Sequence, residues 1–357
     1  MPAPTDGERR FAIEELRALV EAVFRACDMG EADAALLTDS LIASDRRGVH
    51  SHGVLRVPEY VKKLTVAGVN PRGRPRIVRE TGGCVTVDGD NSMGQIGSTF
   101  AMRRVLELAR EHGIAAGVVR GSNHSGAMAY YAMMALPHNM IGIATTNCLP
   151  TMPAHGGAER LLGINPLGVA IPADAERPIV YDAAFSGSSH GKIRVYAQKG
   201  LPIPEGWALD AEGRPTTDVQ EAIDGLLAPI GGFKGVGLAL ICGTLGGLLS
   251  GAAWASELGS LETGPIAGRD GHFVAAIDIA AFEDVARFKS RVDGVIRSIH
   301  ASKRAPGVAR LYAPGEPEAL YEDECQARGV PLNAETAADL FAAARSLGVA
   351  VEQHARG

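Results

Sequence analysis

The run Ile114-Ala-Ala-Gly-Val-Val119 decides the fold class, because it is short, apolar and uninterrupted, as expected for a buried strand. Just before it, residues 98–111 have apolar side chains at helical spacing, with Ser98 as the predicted N-cap. Just after it comes the polar, Gly-containing segment Arg120-Gly-Ser-Asn-His-Ser-Gly126, and residues 127–135 again predict a helix. A helix, a buried strand and a further helix in succession indicate an α/β protein.

The same alternation extends over most of the 357 residues. Further strands are predicted at 84–88, 141–146, 167–171, 179–182 and 273–279, and further helices at 13–27, 31–45, 57–65, 283–300 and 334–347. The links between these elements are irregular, so the pattern favours a mixed sheet over a doubly wound parallel sheet.

Composition excludes several classes of protein. Apolar residues make up 46% and charged residues 21%, which is typical of a globular chain, and the net charge of −6 gives no basic patch for nucleic acid. The five cysteines are widely spaced and form no C-x-x-C pair, so neither a disulfide framework nor a cysteine zinc site is expected. The first residues contain no apolar signal region, which together with the cysteine usage predicts a cytoplasmic protein.

One segment could be mistaken for a membrane span. Residues 235–255 carry no charge, and Gly243, Gly247 and Gly251 lie at the GxxxG spacing. The segment is rich in glycine and alanine, however, and no cluster of basic residues follows it. We therefore expect a packed helix, buried in the subunit or at a dimer interface, and no membrane association.

The densest polar cluster is Arg46-Arg-Gly-Val-His-Ser-His-Gly-Val-Leu-Arg56, followed by Tyr60. Arg56 and Tyr60 share a helix face at i, i+4 if a helix begins near Gly53. A guanidinium can grip a carboxylate with two hydrogen bonds while an imidazole exchanges the proton of a nearby hydroxyl. The residue types alone leave three alternatives open: a catalytic site, a metal site using the H-x-H pair, or a structural turn.

Two further regions carry polar residues at predicted strand ends. His124 follows the strand at 114–119, where α/β proteins commonly present functional groups. Asn147, His155 and Asn165 lie among Gly and Pro residues after the strand at 141–146. Backbone N–H groups in such turns suit nucleotide phosphates, although turn formation alone also explains the composition. The dinucleotide fingerprint G-x-G-x-x-G is absent from the whole sequence.

Eight segments together resemble the malate/L-lactate dehydrogenase family that is unrelated to the Rossmann-type enzymes. In chain order they are Arg47-Gly-Val-His-Ser-His-Gly-Val-Leu-Arg56, Gly121-Ser-Asn-His-Ser-Gly126, Thr146-Asn-Cys-Leu-Pro150, Gly163-Ile-Asn-Pro166, Asp182-Ala-Ala184, Gly191-Lys-Ile193, Gly232-Phe-Lys-Gly-Val-Gly-Leu238 and Pro314-Gly-Glu-Pro317. The family includes ureidoglycolate, sulfolactate and Δ1-piperideine-2-carboxylate oxidoreductases. The resemblance implies hydride transfer between NAD or NADP and the α-carbon of a small 2-hydroxy or 2-oxo acid.

The resemblance also implies the site. Residues in catalytic positions are Ser51, His52 and His124, those in substrate-binding positions are Arg56 and Tyr60, and those in cofactor-binding positions are Cys148, Asp182, Ala183, Ala184, Lys234, Gly315, Glu316 and Pro317. Either histidine is a candidate acid/base, and Ser51 would orient His52. Two positions depart from the family's pattern: Cys148 stands where serine is common, and Ala183 stands where a larger apolar residue is common.

For the architecture, the resemblance implies a non-Rossmann, mixed-sheet cofactor domain and a helical domain built from both termini. The expected division is 1–65 with 290–357 as the helical domain, 66–122 as a small α/β segment and 123–289 as the NAD(P)-binding domain. A homodimer is expected, with a small carboxylic acid as the substrate. The alternatives are an NADPH-dependent reductase of a cyclic imino acid and a metal-dependent hydrolase using His50, His52 and His124; a binding protein without turnover is a third.

Overall fold

The computed structural model describes residues 9–198, 200–258 and 267–351. Its helices are α1 (Ile13–Ala26), α2 (Glu31–Arg46), α3 (Val57–Thr65), α4 (Gly94–His112), α5 (Met128–Met133), α6 (His190–Gln198), α7 (Val219–Asp224), α8 (Phe233–Gly243), α9 (Val285–Ala301), α10 (Glu316–Arg328) and α11 (Ala334–Ser346). Its strands are β1 (Arg9–Phe11), β2 (Arg76–Thr81), β3 (Cys84–Asp88), β4 (Ile114–Ser122), β5 (Met140–Thr146), β6 (Leu167–Ile171), β7 (Ile179–Ala183), β8 (Ala208–Leu209), β9 (Pro215–Thr216), β10 (Leu226–Leu227), β11 (Asp270–Asp278) and β12 (Val330–Leu332).

The central sheet has seven strands in the order β2-β3-β4-β11-β5-β6-β7. Strands β3 and β4 are parallel, and every other neighbouring pair is antiparallel. The predicted mixed α/β sheet is therefore confirmed. The central strand, β11, is the last of the seven in the sequence, and it pairs with both β4 and β5. These pairings fix the loops that follow β4 and β5 relative to each other.

A separate helical core joins the two ends of the chain. Strand β1 pairs with β12, and the buried side chains of α1, α2 and α3 pack with those of α10 and α11 in one apolar cluster. Leu16 and Phe24 are fully buried in it beside Leu340. Tyr60 of α3 belongs to the same cluster, with its ring 6.5 Å from that of Phe24. The helical core thus holds one face of the candidate site in place.

The predicted start of α4 was wrong. The helix begins at Gly94 after Met93, so Ser98 is not an N-cap but a buried residue inside the helix. A Cβ on Gly94 would lie only 2.1 Å from the carbonyl oxygen of Asn123. The first turn of α4 therefore packs directly against the loop that carries His124, and this contact overrides the local capping signal at Ser98.

The single helix predicted over 235–255 was also wrong. Helix α8 ends at Gly243, a π-helical turn follows at Thr244–Leu248, and Gly251 adopts φ +76°. A Cβ on Gly246 would lie 2.9 Å from the backbone nitrogen of Asn147, so the turn presses its glycines against the end of β5. Insertions of this kind in a helix are common at functional sites. No helix of the described residues is both long enough and apolar enough to cross a membrane.

Candidate active site

Five strands of the central sheet place their ends at one edge. The register pairs Asp270 with Ser122, His272 with Thr146, and Leu167 with Ala183. The residues that follow β4, β5 and β7 and that precede β6 and β11 are therefore neighbours in space. This edge carries His124, Cys148, Asn165, Asp182 and Asp270, and it faces the turn between α2 and α3.

That turn is organised by a buried carboxylate. Asp45, at the end of α2, accepts hydrogen bonds from the backbone N–H of Val54 (2.7 Å) and from His50 Nδ1 (2.8 Å). A Cβ on Gly53 would lie 2.1 Å from Asp45 Oδ1, so only glycine allows the chain to approach so closely. His50 Nε2 lies 3.1 Å from the Tyr321 hydroxyl. His50 therefore has a structural role, and the H-x-H motif does not form a metal pair.

The second histidine of the motif meets the histidine of the sheet edge. The rings of His52 and His124 are stacked, with centroids 5.7 Å apart and planes 13° from parallel. Ser51 Oγ lies 3.0 Å from His52 Nδ1, the contact needed for Ser51 to orient that ring. Two imidazoles from distant parts of the sequence thus share one partly exposed space.

Tyr60 connects His124 to a residue that the sequence analysis missed. The Tyr60 hydroxyl lies 2.6 Å from His124 Nδ1 and accepts a hydrogen bond of 3.1 Å from Gln95 Nε2. Both Tyr60 and Gln95 are fully buried. No motif marks Gln95, whose position follows only from the packing of α4 against the His124 loop.

The guanidinium of Arg56 is held in place by residues next to His52 in the turn and in α3. Arg56 Nε donates to the carbonyl oxygen of Ser51 (2.7 Å), and Nη1 donates to Glu59 (2.9 Å). These two bonds fix the plane of the guanidinium, whose Nη2 carries two further donors. Arg56 therefore can present an oriented N–H edge to a carboxylate beside the paired imidazoles.

Burial and nearby cations keep both imidazoles neutral. Burial, and next the charge of Arg56, lower the pKa of His52 to about 4. Burial, His52 and Arg56 hold the pKa of His124 well below its ordinary value. The conjugate acid of either ring is therefore a stronger acid than free imidazolium, which suits proton donation to a developing alkoxide.

Asp270 is a second site residue that the sequence did not reveal. The predicted strand at 273–279 starts earlier in the structure, at Asp270, because Gly271 allows a close approach: a Cβ there would lie 2.2 Å from the carbonyl oxygen of Gly246. Burial raises the pKa of Asp270 to about 7, opposed by the charge of Lys63. The charge of Asp270 contributes to the raised pKa of Tyr60 and of the Cys148 thiol, so its carboxyl lies within electrostatic range of both.

Cys148 lies on the sheet-edge side of this space. Its backbone N–H donates to Asn165 Oδ1 (2.8 Å), and Asn165 Nδ2 donates to the carbonyl oxygen of Ala239 (2.8 Å). Burial raises the pKa of the Cys148 thiol to about 12, so the thiol is protonated at neutral pH. Asn165 thereby joins the end of β5 to helix α8.

The other predicted cofactor residues make no described contact with the paired histidines. Asp182 accepts a hydrogen bond from the backbone N–H of Ala129 (2.7 Å) at the start of α5, and burial raises its pKa to about 6. Ala183 is the last residue of β7, Ala184 follows the strand, and Lys234 is exposed in the first turn of α8. Among the described contacts, none joins Lys234 to the histidines.

The segment Pro314-Gly-Glu-Pro317 packs on β7. The Val180 N–H donates to the carbonyl oxygen of Pro314 (3.0 Å), and Gly315 is left-handed, with φ +84°. The buried carboxylate of Glu316 pairs with His300 (2.7 Å) and with Arg310. A cavity of about 560 Å³ beside it is lined by His300, Lys303, Arg304 and Arg310, and has a positive character.

In the described parts of the chain, no group of three or more His, Cys, Asp or Glu side chains could hold a metal ion. His50 is engaged by Asp45, while His52 and His124 face each other as stacked rings. The alternative of a metal-dependent hydrolase thus finds no support in the geometry.

The family model for malate/L-lactate dehydrogenase matches residues 11–341. The chain belongs to this family. It is 37% identical over 348 residues to a malate dehydrogenase of Pyrococcus abyssi, covering 95% of each chain. It is 32% identical to an L-sulfolactate dehydrogenase of Methanothermobacter thermautotrophicus, covering 96% of this chain and 98% of the relative. The solved sulfolactate dehydrogenase of Methanocaldococcus jannaschii superposes with a TM-score of 0.91 at 30% identity, covering 97% of this chain and 99% of that one.

These similarities extend over nearly the whole chain, so they include both the helical core and the sheet edge. They confirm the predicted class, a dehydrogenase of the malate/lactate type that works with a pyridine nucleotide.

Proposed function

We propose that this protein interconverts a small 2-hydroxy acid and its 2-oxo acid, using NAD or NADP and the His52–His124 pair. The observation that carries the proposal is the meeting of two neutral imidazoles with the held guanidinium of Arg56. An organic acid with an oxygen on the adjacent carbon fits this arrangement, because its carboxylate needs a cation and its hydroxyl needs a proton acceptor.

In the proposed mechanism, Arg56 binds the substrate carboxylate through its remaining N–H donors. His124 takes the hydroxyl proton during oxidation and returns it during reduction, while Ser51 holds His52 in its stacked position. A bound nicotinamide would supply the hydride chemistry at the substrate carbon. The acid/base and the carboxylate anchor are held by separate rigid elements. The substrate is therefore already aligned when it binds, and no further conformational entropy is lost in the chemical step.

For the cofactor, we propose binding by Cys148, Asp182, Ala183, Ala184, Lys234, Gly315, Glu316 and Pro317. Charge supports this choice: Lys234 is exposed, and the cavity beside Glu316 carries Lys303, Arg304 and Arg310, cations that suit phosphate groups. The helical domain would comprise 1–65 with 290–357, the small α/β segment 66–122 and the NAD(P)-binding domain 123–289, with the last two sharing the central sheet.

The direct test is a substrate panel. Malate, lactate, sulfolactate, ureidoglycolate and the matching 2-oxo acids, together with cyclic imino acids, are assayed with both nucleotides at the absorbance of reduced nicotinamide. We expect turnover of at least one 2-hydroxy or 2-oxo acid. Turnover of imino acids alone would replace the proposed substrate class. Saturable NADH binding with no turnover of any compound would indicate a binding protein.

We also propose a homodimer that buries the outer face of α8 and the turn after it. Ile241 and Leu249 are 58% and 59% exposed, and Leu238, Leu240 and Leu248 are exposed beside them. A contiguous apolar patch of this kind is typical of an interface. The α8 segment also contacts Asn165 and Asn147 at the sheet edge, so association would stabilise the site.

Sedimentation velocity tests the dimer. We expect the unmodified chain to sediment as a dimer and Ile241→Glu to sediment as a folded monomer, because a carboxylate cannot be buried in an apolar contact without a partner. Phe282→Glu is the matched control, since Phe282 is 67% exposed away from α8. A monomeric unmodified chain, or a dimer that persists in Ile241→Glu, would contradict the proposed interface.

A further inference from the structure

The hydrogen bonds around Tyr60 determine where the ring proton of His124 lies. Gln95 Nε2 can only donate, so the Tyr60 oxygen accepts from it, and the Tyr60 O–H must point to His124 Nδ1. A neutral His124 ring then carries its proton on Nε2, the nitrogen on the far side from Tyr60. In this tautomer Nε2 has no lone pair with which to take a proton from a substrate hydroxyl.

The oxygen of the Gln95 side-chain amide has no described hydrogen-bond partner. Gln95 Oε1 is buried and meets no hydrogen-bond donor among the described residues. Buried carbonyl oxygens are nearly always hydrogen-bonded, and one without a partner calls for an explanation. A half-turn of the amide would exchange the two ends: Oε1 would then accept from the Tyr60 O–H, and the Tyr60 oxygen would accept from a protonated His124 Nδ1.

We propose that Gln95 is a positioning residue whose amide, by turning over, sets which nitrogen of His124 carries the proton. This inference rests on the proposed role of His124 as the acid/base. In the orientation described above, the ring is at rest with Nε2–H. In the turned orientation the ring carries Nδ1–H and offers the Nε2 lone pair to the substrate, which is the form that reacts.

Protons are conserved both when the Gln95 amide turns and when the substrate is oxidised. When the amide turns, His124 Nδ1 takes one proton from water and Nε2 releases one, so the ring stays neutral. During oxidation the substrate O–H bond breaks, its proton joins Nε2, and the hydride leaves the carbon for the nicotinamide. The resulting imidazolium donates from Nδ1 to Tyr60, which donates to Gln95 Oε1. Reduction reverses each transfer.

A glutamine suits this position better than any similar residue. Its two ends match in shape but differ in hydrogen bonding, so it can stabilise either tautomer of the ring without adding charge. Burial raises the pKa of Tyr60 well above its ordinary value, so the hydroxyl keeps its proton and acts only as a relay. The charged and titratable groups that act on His124 are His52, Arg56, His272 and Lys63.

Two substitutions separate this role from packing. Gln95→Glu keeps the shape and, when ionised, offers Tyr60 only acceptors, which favours Nδ1–H on His124 and stabilises its imidazolium. Gln95→Met keeps the length but removes both the amide donor and the amide acceptor, so the Tyr60 O–H stays on Nδ1 and Nε2–H persists. Nitrogen NMR of histidine-labelled protein reports the protonated ring nitrogen of His124, and the pH profile of kcat/KM for oxidation reports its pKa.

For Gln95→Glu we expect the Nδ1–H tautomer. We also expect the acidic limb of the kcat/KM profile to move to higher pH by about one unit, which is the smallest pKa shift usually caused by a nearby opposite charge. For Gln95→Met we expect the Nε2–H tautomer and a kcat about tenfold lower, a part of the 10²–10⁴-fold that acid/base catalysis supplies. Cofactor affinity should be unchanged in both variants.

Two results would overturn the role of Gln95. One is a Gln95→Glu variant with the same His124 tautomer and the same pH profile as the unmodified protein. The other is an equal loss of kcat in both variants without a change of tautomer. Should Gln95→Met fail to fold, the NMR and pH measurements on Gln95→Glu decide alone. The NMR result does not depend on turnover. If the unmodified protein turned over no 2-hydroxy or 2-oxo acid, only the proposed function would fall, and the tautomer assignment would be judged separately.

Discussion

His124→Gln is expected to lower kcat by about 10²–10⁴-fold, the usual contribution of a positioned acid/base. Glutamine is close in size and can still accept a hydrogen bond from Tyr60, which lies 2.6 Å from His124 Nδ1 in the native site. It cannot exchange a proton near neutral pH, so the loss should fall on the chemical step. Steady-state kinetics with the best substrate of the panel, together with NADH binding by fluorescence, separate kcat from cofactor affinity.

The same run of sequence supplies a matched control. His50→Gln removes a histidine that contacts Asp45 and Tyr321 outside the paired rings, so we expect turnover within a few-fold of the native value. His52→Gln identifies the other candidate: a larger loss there than at position 124 would make His52 the acid/base. Normal turnover in both His52→Gln and His124→Gln would remove the imidazoles from the mechanism altogether.

Arg56→Lys is expected to raise KM for the acid by about 10–100-fold with a smaller change in kcat. The estimate follows from the loss of a charge-assisted hydrogen bond of about 1.5–3 kcal/mol, at about 1.4 kcal/mol for each tenfold. Lysine keeps the charge, but its ammonium cannot donate at the same time to the Ser51 carbonyl, to Glu59 and to a carboxylate in one plane. The measurement is the initial rate against acid concentration at saturating nucleotide.

Arg46→Lys serves as the comparison, because Arg46 pairs with Glu322 of α10 and not with the turn that carries His52. It should leave KM near the native value. An unchanged KM in Arg56→Lys, with an affected one in Arg46→Lys, would place the substrate carboxylate elsewhere.

Elements of the fold whose signal lies within a few residues could be predicted from the sequence. The helix over 57–65 and the strand over 167–171 have the predicted bounds, because apolar spacing and short polar links determine them. The start of α4 and the end of α8 could not be predicted, since contacts distant in sequence set both: Gly94 against Asn123, and Gly246 against Asn147. Local capping signals were outweighed by close packing.

The candidate site also contains residues that the sequence predicts and residues that it does not. His52 and His124 stand in dense polar clusters, and the structure brings their rings together. Gln95 and Asp270 could not be found, because neither belongs to a motif or to a dense cluster of functional residue types. Their positions depend on which strand lies beside which, and β11 pairs with β4 although more than a hundred residues separate the two strands in the sequence.

The candidate site has two walls of different origin. One wall is a set of strand ends locked by the central sheet, where His272 bridges Ser122 (2.9 Å) and Thr146 (2.8 Å). The other is a short turn and α3, supported by the helical core. Arg56 belongs to the second wall and His124 to the first, so different parts of the fold hold the proposed carboxylate anchor and the proposed acid/base. Engineering of a new substrate preference would accordingly begin around Arg56, keep Ser51, His52 and Tyr60, and leave the sheet untouched.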